Sequence, residues 1–91
     1  MKVEQLFAEF LGTFLLLISI FFTGNWLTIG LTLAGIVWTI GGVSGGHVNP
    51  AVSFAMYMKP NNTFSFTDFV SYSIVQILGG VVALFTYRAL I

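Results

Sequence analysis

The sequence predicts an all-α membrane protein with three transmembrane helices and one re-entrant half-helix. Of its 91 residues, 57% are hydrophobic and 7% are charged, far from the balance of a soluble domain. No Asp, Glu, Lys or Arg occurs at positions 10–58 or 69–87. A glycine-rich stretch followed by an Asn-Pro pair interrupts the first of these apolar regions. Together these observations indicate helices that cross a lipid bilayer and one segment that enters it and returns.

The first two spans meet at a short break at residues 23–25. The first span runs from about residue 3 to residue 22, since about 20 residues at 1.5 Å per residue cross a hydrocarbon core of about 30 Å. The missing small-x-small cleavage site and the acidic Glu4 and Glu9 argue against a signal peptide, so we expect a retained helix. The second span runs from about 26 to 43, with Trp26 at an interface position.

The segment at about 44–58 is predicted to enter the membrane without crossing it. Asn49 suits a helix N-cap, and Pro50 suits the first helical position. The helix that follows has about eight residues and a length on the order of 12 Å, less than half of the hydrocarbon core. It stops at Lys59, and a third span runs from about 67 to 90.

The start of this half-helix predicts a permeation site. Its dipole directs positive charge towards the membrane midplane beside the Asn49 amide, which suits a neutral polar solute or an anion and repels cations. Residues 45–48 are expected to be extended, with a ladder of carbonyl groups. Free backbone groups at this depth must face protein or a water-filled cavity. Transporters also use such half-helix termini, so these residues alone do not choose a mechanism.

Several other functions are not expected from this sequence. It carries no carboxylate pair, nucleophile–base set or metal-ligand cluster, so we expect neither an enzyme nor a bound metal or cofactor. Three scattered basic residues cannot form a phosphate-binding face, which excludes nucleic acid as a partner. Cysteine is absent, so no disulfide is available.

Each span carries two small residues four positions apart, a spacing that allows close helix approach in lipid. These pairs are Ala8 with Gly12, Gly30 with Ala34, and Gly79 with Ala83.

Three motifs resemble the N-terminal repeat of the aquaporin and aquaglyceroporin (major intrinsic protein) family. They are AEFLGT at 8–13, SGGHVNPAV at 44–52 and QILG at 76–79. The resemblance covers essentially the whole chain, so residues 1–91 are expected to form a single aquaporin-like repeat. It implies a fold of six spans and two half-helices, in which a second inverted half completes this one. It also implies a multi-pass integral protein of the plasma (inner) membrane, and a passive channel for water and small neutral solutes such as glycerol.

The resemblance implies roles for individual residues of the pore. Asn49, with Pro50 and Ala51, matches the motif whose asparagine donates an amide hydrogen to the passing solute. The preceding backbone is expected to line the pore, at Gly45, Gly46, His47 and Val48.

Two buried polar side chains are expected to support the loop. Glu9 resembles a first-helix glutamate that accepts hydrogen bonds from the N–H groups of the glycine-rich loop. Gln76 resembles a third-helix glutamine that bonds to a neighbouring helix. The side chain of His47 is expected to pack behind the loop.

The family's second constriction is altered in this sequence. The family places an aromatic residue on the second span and an arginine three residues after the asparagine of its second pore motif. Ile29 occupies the aromatic position here, and Val52 lies three residues after Asn49. In a self-paired pore, the filter would consist of Ile29 with Val37, Gly46 and Val52 of the other copy, an apolar ring without charge.

A single half-helix requires an opposing partner, because three spans cannot enclose a pore. Lys2 and Lys59 are expected on one side of the membrane and Arg88 on the other, a weak bias that permits insertion in both orientations. We therefore expect an antiparallel homodimer in the lipid bilayer, with such pores grouped as a tetramer.

Three other interpretations stay open at this point. The chain could be half of a split aquaporin whose second half is separately encoded. It could be a small dual-topology transporter that uses Glu9 as a proton-coupled site. It could also be a truncated chain that only modulates larger channels.

Overall fold

The computed structural model describes residues 2–91 and has four α-helices. The helices are α1 Val3–Thr23, α2 Trp26–Ser44, α3 Pro50–Met58 and α4 Phe66–Leu90. No strand occurs within the described residues, and the predicted all-α fold class is confirmed. By length and composition, α1, α2 and α4 can each cross a membrane.

A tight turn makes α1 and α2 neighbours. Gly24 has a φ of 55°, a left-handed conformation that glycine adopts without steric cost. Its N–H donates to the carbonyl of Ile20 and closes the end of α1. Asn25 then accepts a 2.9 Å hydrogen bond from the N–H of Thr28 and caps the start of α2.

The central helix is α1, because both α2 and α4 pack against it. The approach to α4 is closest at Gly79, where an added Cβ would lie 2.5 Å from the backbone oxygen of Phe10. The predicted small residues of these two helices, Ala8, Gly12, Gly79 and Ala83, are all buried. Small residues therefore allow α1 and α4 to approach closely.

In contrast, α2 is largely uncovered, since it packs along α1 and its contact with α4 is a hydrogen bond to its last residue, Ser44. Trp38 is 88% exposed. The predicted small pair of Gly30 and Ala34 is exposed too, and no atom lies within 4 Å of a Cβ built at Gly30. This face of α2 is free to receive another helix.

The short helix α3 lies antiparallel along the first half of α4. Ser53 contacts Gln76, with 3.0 Å between Oγ and Nε2, while Tyr57 contacts Phe66 with ring centroids 5.7 Å apart. Residues later in α3 therefore contact residues earlier in α4, so the two helices run in opposite directions. The nine residues of α3 span about 13 Å and return the chain to the end of the bundle at which α4 begins.

Candidate functional site

The loop between α2 and α3 is tightly turned. Gly45, Gly46 and Val48 have φ angles of 92°, 64° and 46°. The extended conformation expected for residues 45–48 is therefore wrong. A β-branched residue in the left-handed region costs on the order of 1–3 kcal/mol, and it persists only where its surroundings fix it. The contacts of this loop with α1 explain how it is fixed.

Glu9 of α1 is fully buried, and its carboxylate accepts four hydrogen bonds. Oε2 accepts from the Ser44 hydroxyl at 2.6 Å and from the His47 N–H at 3.0 Å. Oε1 accepts from the Val48 N–H at 2.7 Å and from Nε2 of Gln76 at 2.9 Å. Successive N–H groups that converge on one anion form a nest, which requires turned backbone of this kind. The carboxylate replaces the helix hydrogen bonds that the loop cannot make.

Hydrogen-bond donors, and no neighbouring cation, surround this carboxylate. The three basic side chains of the chain, Lys2, Lys59 and Arg88, are all exposed near the ends of helices. Hydrogen bonds to an ionised acceptor are roughly twice as strong as those between neutral groups. Removing one partner of a buried charge is strongly destabilising. Glu9 is thus built into the loop as a structural anchor.

Ser44 ties the end of α2 to the loop and to α4. Its hydroxyl, which donates to Glu9, also accepts the N–H of Gly46 at 3.3 Å. Its carbonyl accepts a 2.6 Å hydrogen bond from the hydroxyl of Tyr72. Sequence reasoning missed Ser44 and Tyr72 as site residues. A signal for both was available, because polar side chains within apolar membrane segments are usually paired or functional.

A second buried chain of hydrogen bonds anchors the half-helix through Ser53, which sequence reasoning also missed. Nε2 of Gln76 donates to Ser53 Oγ at 3.0 Å, and this Oγ lies 2.8 Å from Nδ1 of His47. In the neutral tautomer with its proton on Nε2, His47 accepts at Nδ1 from the Ser53 hydroxyl, which itself accepts from Gln76. Ser53 is 0% exposed, so its hydroxyl is not offered to a substrate.

The imidazole of His47 packs behind the loop in a group of three rings. Its centroid lies 5.1 Å from that of Phe64 and 5.0 Å from that of Tyr72. The whole residue is 8% exposed. This packing and the bond to Ser53 hold the side chain on the protein side of the loop.

Asn49 lies exposed at the N-terminus of the half-helix. Its Oδ1 accepts a 2.8 Å hydrogen bond from the N–H of Ala51, and Pro50 is the first helical residue. Its amide nitrogen donates to no side chain or carbonyl of residues 2–91. Ser53 is level with Gln76 near the middle of α4, and Asn49 precedes Ser53 by about one helical turn. The free amide is therefore at mid-depth of the bundle.

The four filter candidates are only partly brought together within one chain. A Cβ at Gly46 would lie 3.3 Å from the Cα of Val37, so these two residues are in contact. Val37 and Val52 are each 42% exposed. Ile29 lies about 12 Å from Val37 along α2, since eight residues separate them. A ring that includes Ile29 would need residues from outside the chain.

Hydrogen bonding is the chemistry that this site offers. Within residues 2–91 no group of three or more His, Cys, Asp or Glu side chains could hold a metal ion. Three buried polar atoms lack a hydrogen-bond partner among the described residues: Thr13 Oγ1, Ser73 Oγ and Gln76 Oε1.

The whole chain, residues 1–91, matches the family model of the major intrinsic protein. The chain belongs to the major intrinsic protein family. It is 40% identical over 91 residues to Glycerol uptake facilitator protein-like 6 of Lactiplantibacillus plantarum, a match that covers 89% of this chain and 41% of the relative. It is 37% identical over 102 residues to Aquaporin AqpM of Methanothermobacter thermautotrophicus, covering 96% of this chain and 40% of the relative. It is 32% identical over 96 residues to Aquaporin Z of Photorhabdus laumondii, covering 89% and 41%.

Family membership confirms the resemblance seen in the sequence. Major intrinsic proteins are membrane channels, and with three spanning helices this chain is a multi-pass integral membrane protein. It spans about two fifths of the length of these curated relatives, at 41%, 40% and 41%. No solved structure matches the chain significantly.

Proposed function

We propose that two copies of this chain, inserted in opposite orientations, form a passive pore for water and small neutral solutes such as glycerol. The observation that carries this proposal is the exposed Asn49 at mid-depth, at the N-terminus of a half-helix. A free amide at this depth serves a solute that needs a hydrogen-bond donor.

The half-helix needs an opposing structure. Its nine residues reach about 13 Å, roughly half of a hydrocarbon core of about 30 Å. Asn49 accepts from the N–H groups of Ala51 and Ser53, whereas the N–H of Val52 and the carbonyls of residues 45–48 have no partner among residues 2–91. These groups cannot face lipid, because unsatisfied backbone groups cost several kcal/mol there. A second half-helix that arrives from the opposite side would cover them and leave the two Asn49 amides facing one passage.

The uncovered face of α2 offers a surface for the second copy. Gly30, Ala34 and Val37 follow the i, i+4, i+7 spacing and share one face of the helix. Val37 contacts the loop at Gly46, so this face borders the loop. Small residues let helix backbones approach closely in lipid. An inverted copy that packs here would bring its own loop up to the first.

The pore of such a dimer would have an apolar second constriction. It would consist of Ile29 with Val37, Gly46 and Val52 of the other copy, and the rest of the passage would be lined by the backbone of residues 45–48. Opposed half-helix dipoles and the cost of dehydration would exclude cations. Relatives of this chain include proteins named aquaporin and glycerol uptake facilitator, which supports water and glycerol as solutes.

Both orientations are accessible to this chain by charge. Lys2 and Lys59 lie at one end of the bundle, and Arg88 lies at the other, so the positive-inside bias is two against one. We further expect the dimeric pores to cluster as tetramers through side chains outside the contact with the second copy, such as Trp38, which is 88% exposed and lies to one side of the face of Gly30, Ala34 and Val37.

A split channel is the second candidate. Because the chain covers about two fifths of its curated relatives, a separately supplied second half would complete the pore equally well. A proton-coupled transporter that uses Glu9 has less support, because this side chain is 0% exposed and both of its oxygens already accept hydrogen bonds.

Stopped-flow light scattering on vesicles that contain only this purified chain tests the proposal. We expect water permeability above that of empty vesicles, passive glycerol flux without an ion gradient, and loss of both in Val52→Trp. The matched control is Val82→Trp, because Val82 of α4 is 41% exposed and Val52 is 42% exposed. Permeability no greater than that of empty vesicles would contradict a homodimeric pore.

Orientation is tested separately by single cysteines near the two ends of the chain, which has no cysteine of its own. In intact cells, we expect a membrane-impermeant thiol reagent to label about half of the copies at each site. A uniform orientation would exclude inverted self-pairing and favour the split channel.

A further inference from the structure

A tight contact joins Gly12 of α1 to Val48, the residue before the pore asparagine. A Cβ at position 12 would lie 2.8 Å from Val48 Cγ1, 2.9 Å from Ile40 Cδ1 and 3.1 Å from Ile36 Cγ2. Real Cβ atoms essentially never come within 3.0 Å of such neighbours. Val48 is 4% exposed, so its side chain fills the space that glycine leaves between α1 and α2.

Val48 has little freedom to adjust. Its φ of 46° is in the left-handed region, and its N–H is held by Glu9 at 2.7 Å. A valine side chain has a single χ angle and restricted rotamers. The flexible end of Ile40 can move aside, whereas Val48 can respond only by rotation about its restricted χ1 or by a shift of its backbone. Glu9 thus fixes the depth of the loop backbone, and Gly12 fixes how closely its side chain approaches α1.

We infer that the contact between Gly12 and Val48 sets the width of the passage at Asn49 and hence the largest neutral solute that passes. This inference rests on the proposed pore function. Volume added at position 12 moves Val48 away from α1, and Asn49, the next residue, moves with it towards the open side of the loop. Volume removed at position 48 lets the loop retreat. Glycerol is sensitive to such shifts because it is larger than water, so Gly12 is a positioning residue for solute size.

The test measures the ratio of glycerol to water permeability for four variants in the same vesicles. Gly12→Ala is expected to lower the ratio by about tenfold, which corresponds to roughly 1.4 kcal/mol of additional barrier for glycerol. Val48→Ala is expected to raise it, and Gly12→Ala/Val48→Ala is expected to return it towards the wild-type value. Gly42→Ala is the matched control, because nothing lies within 4 Å of a Cβ at Gly42.

Two results would overturn the inference. One is an equal ratio in Gly12→Ala and Gly42→Ala, and the other is a double variant no closer to wild type than Gly12→Ala alone. If Gly12→Ala does not fold, the other two variants decide. Val48→Ala must raise the ratio of glycerol to water permeability, and the double variant must have a lower ratio than Val48→Ala.

A second readout separates this inference from the proposed pore. Val52→Cys would carry the only thiol of the chain, one helical turn beyond the asparagine. We expect Gly12→Ala to slow its modification by a bulky thiol reagent more than by a small one, and an unchanged rate ratio overturns the inference. Impermeable wild-type vesicles would refute the proposed pore, and the labelling rates would still decide the role of Gly12.

Discussion

Replacing Glu9 with Gln tests how the loop is held, because glutamine keeps the size of the side chain and exchanges one acceptor oxygen for an NH₂ group. If the NH₂ group of the new glutamine takes the position of Oε1, it faces the N–H donors of Val48 and Gln76, neither of which can accept a hydrogen bond. At the position of Oε2, it would face the Ser44 hydroxyl, which can rotate and accept, and the N–H of His47, which cannot. The second arrangement leaves one donor orphaned and is the one we expect.

The magnitude follows from that single orphaned donor. A buried N–H without a partner costs about 1–3 kcal/mol. The remaining hydrogen bonds lose the assistance of the negative charge, while the neutral side chain is easier to bury, and these two effects oppose each other. We therefore expect Glu9→Gln to lower the free energy of unfolding by about 1–3 kcal/mol.

Unfolding in mixed micelles, driven by increasing sodium dodecyl sulfate, measures this difference. The matched control is Glu4→Gln, since Glu4 is exposed in the first turn of the same helix and makes no hydrogen bond to the loop. The control removes only a helix-dipole interaction of about 0.3–1 kcal/mol. A Glu9→Gln protein as stable as wild type would refute the role of the carboxylate as the anchor of the loop.

Three further predictions concern packing, charge and the end of α2. Gly79→Ala should destabilise the protein more than Gly80→Ala in the same micelle assay. The new Cβ would lie 2.5 Å from the backbone oxygen of Phe10 at position 79, but 3.7 Å from a flexible side chain at position 80. Equal effects of the two substitutions would contradict the close approach of α1 and α4. Asn49→Asp should admit a proton leak in vesicles that carry a pH-sensitive dye, because it adds a negative charge at mid-depth. A proton leak equal to that of wild type would contradict cation exclusion at that point. Tyr72→Phe should lower the free energy of unfolding by about 1 kcal/mol, because it removes the hydroxyl that donates to the last carbonyl of α2. An unchanged free energy of unfolding in the micelle assay would show that this hydrogen bond contributes little.

Much of the architecture could be predicted because it depends on local sequence. Charge-free stretches of sufficient length predict the spans, and an Asn-Pro pair predicts the start of a short helix with Asn49 as its cap. The contacts of Glu9 with the loop follow the arrangement that the family resemblance implied. Each of these inferences rests on a residue type that is costly in lipid unless it is paired or capped.

The rest depends on contacts between distant residues. Nothing local in the sequence indicates that Val48 adopts a left-handed conformation, because the cause is a nest around a carboxylate 39 positions away. Polar side chains such as Ser44 and Ser53 in apolar helices indicate that a partner is needed, but only the fold shows that the partners are Glu9 and Gln76. In the sequence, the small pair of Gly30 and Ala34 on α2 is equivalent to the pairs on α1 and α4, and only the structure shows that it is exposed.

The number of copies in one pore is the most direct test of self-pairing. Wild-type chain and Val52→Trp chain would be co-expressed in varied proportion, purified together and reconstituted for stopped-flow measurement of water permeability. If two inverted copies share each passage, one blocked copy suffices to close it, and we predict that permeability falls with the square of the wild-type fraction. A fall in direct proportion to the wild-type fraction would mean that each copy contributes independently to conduction, and it would contradict the paired pore.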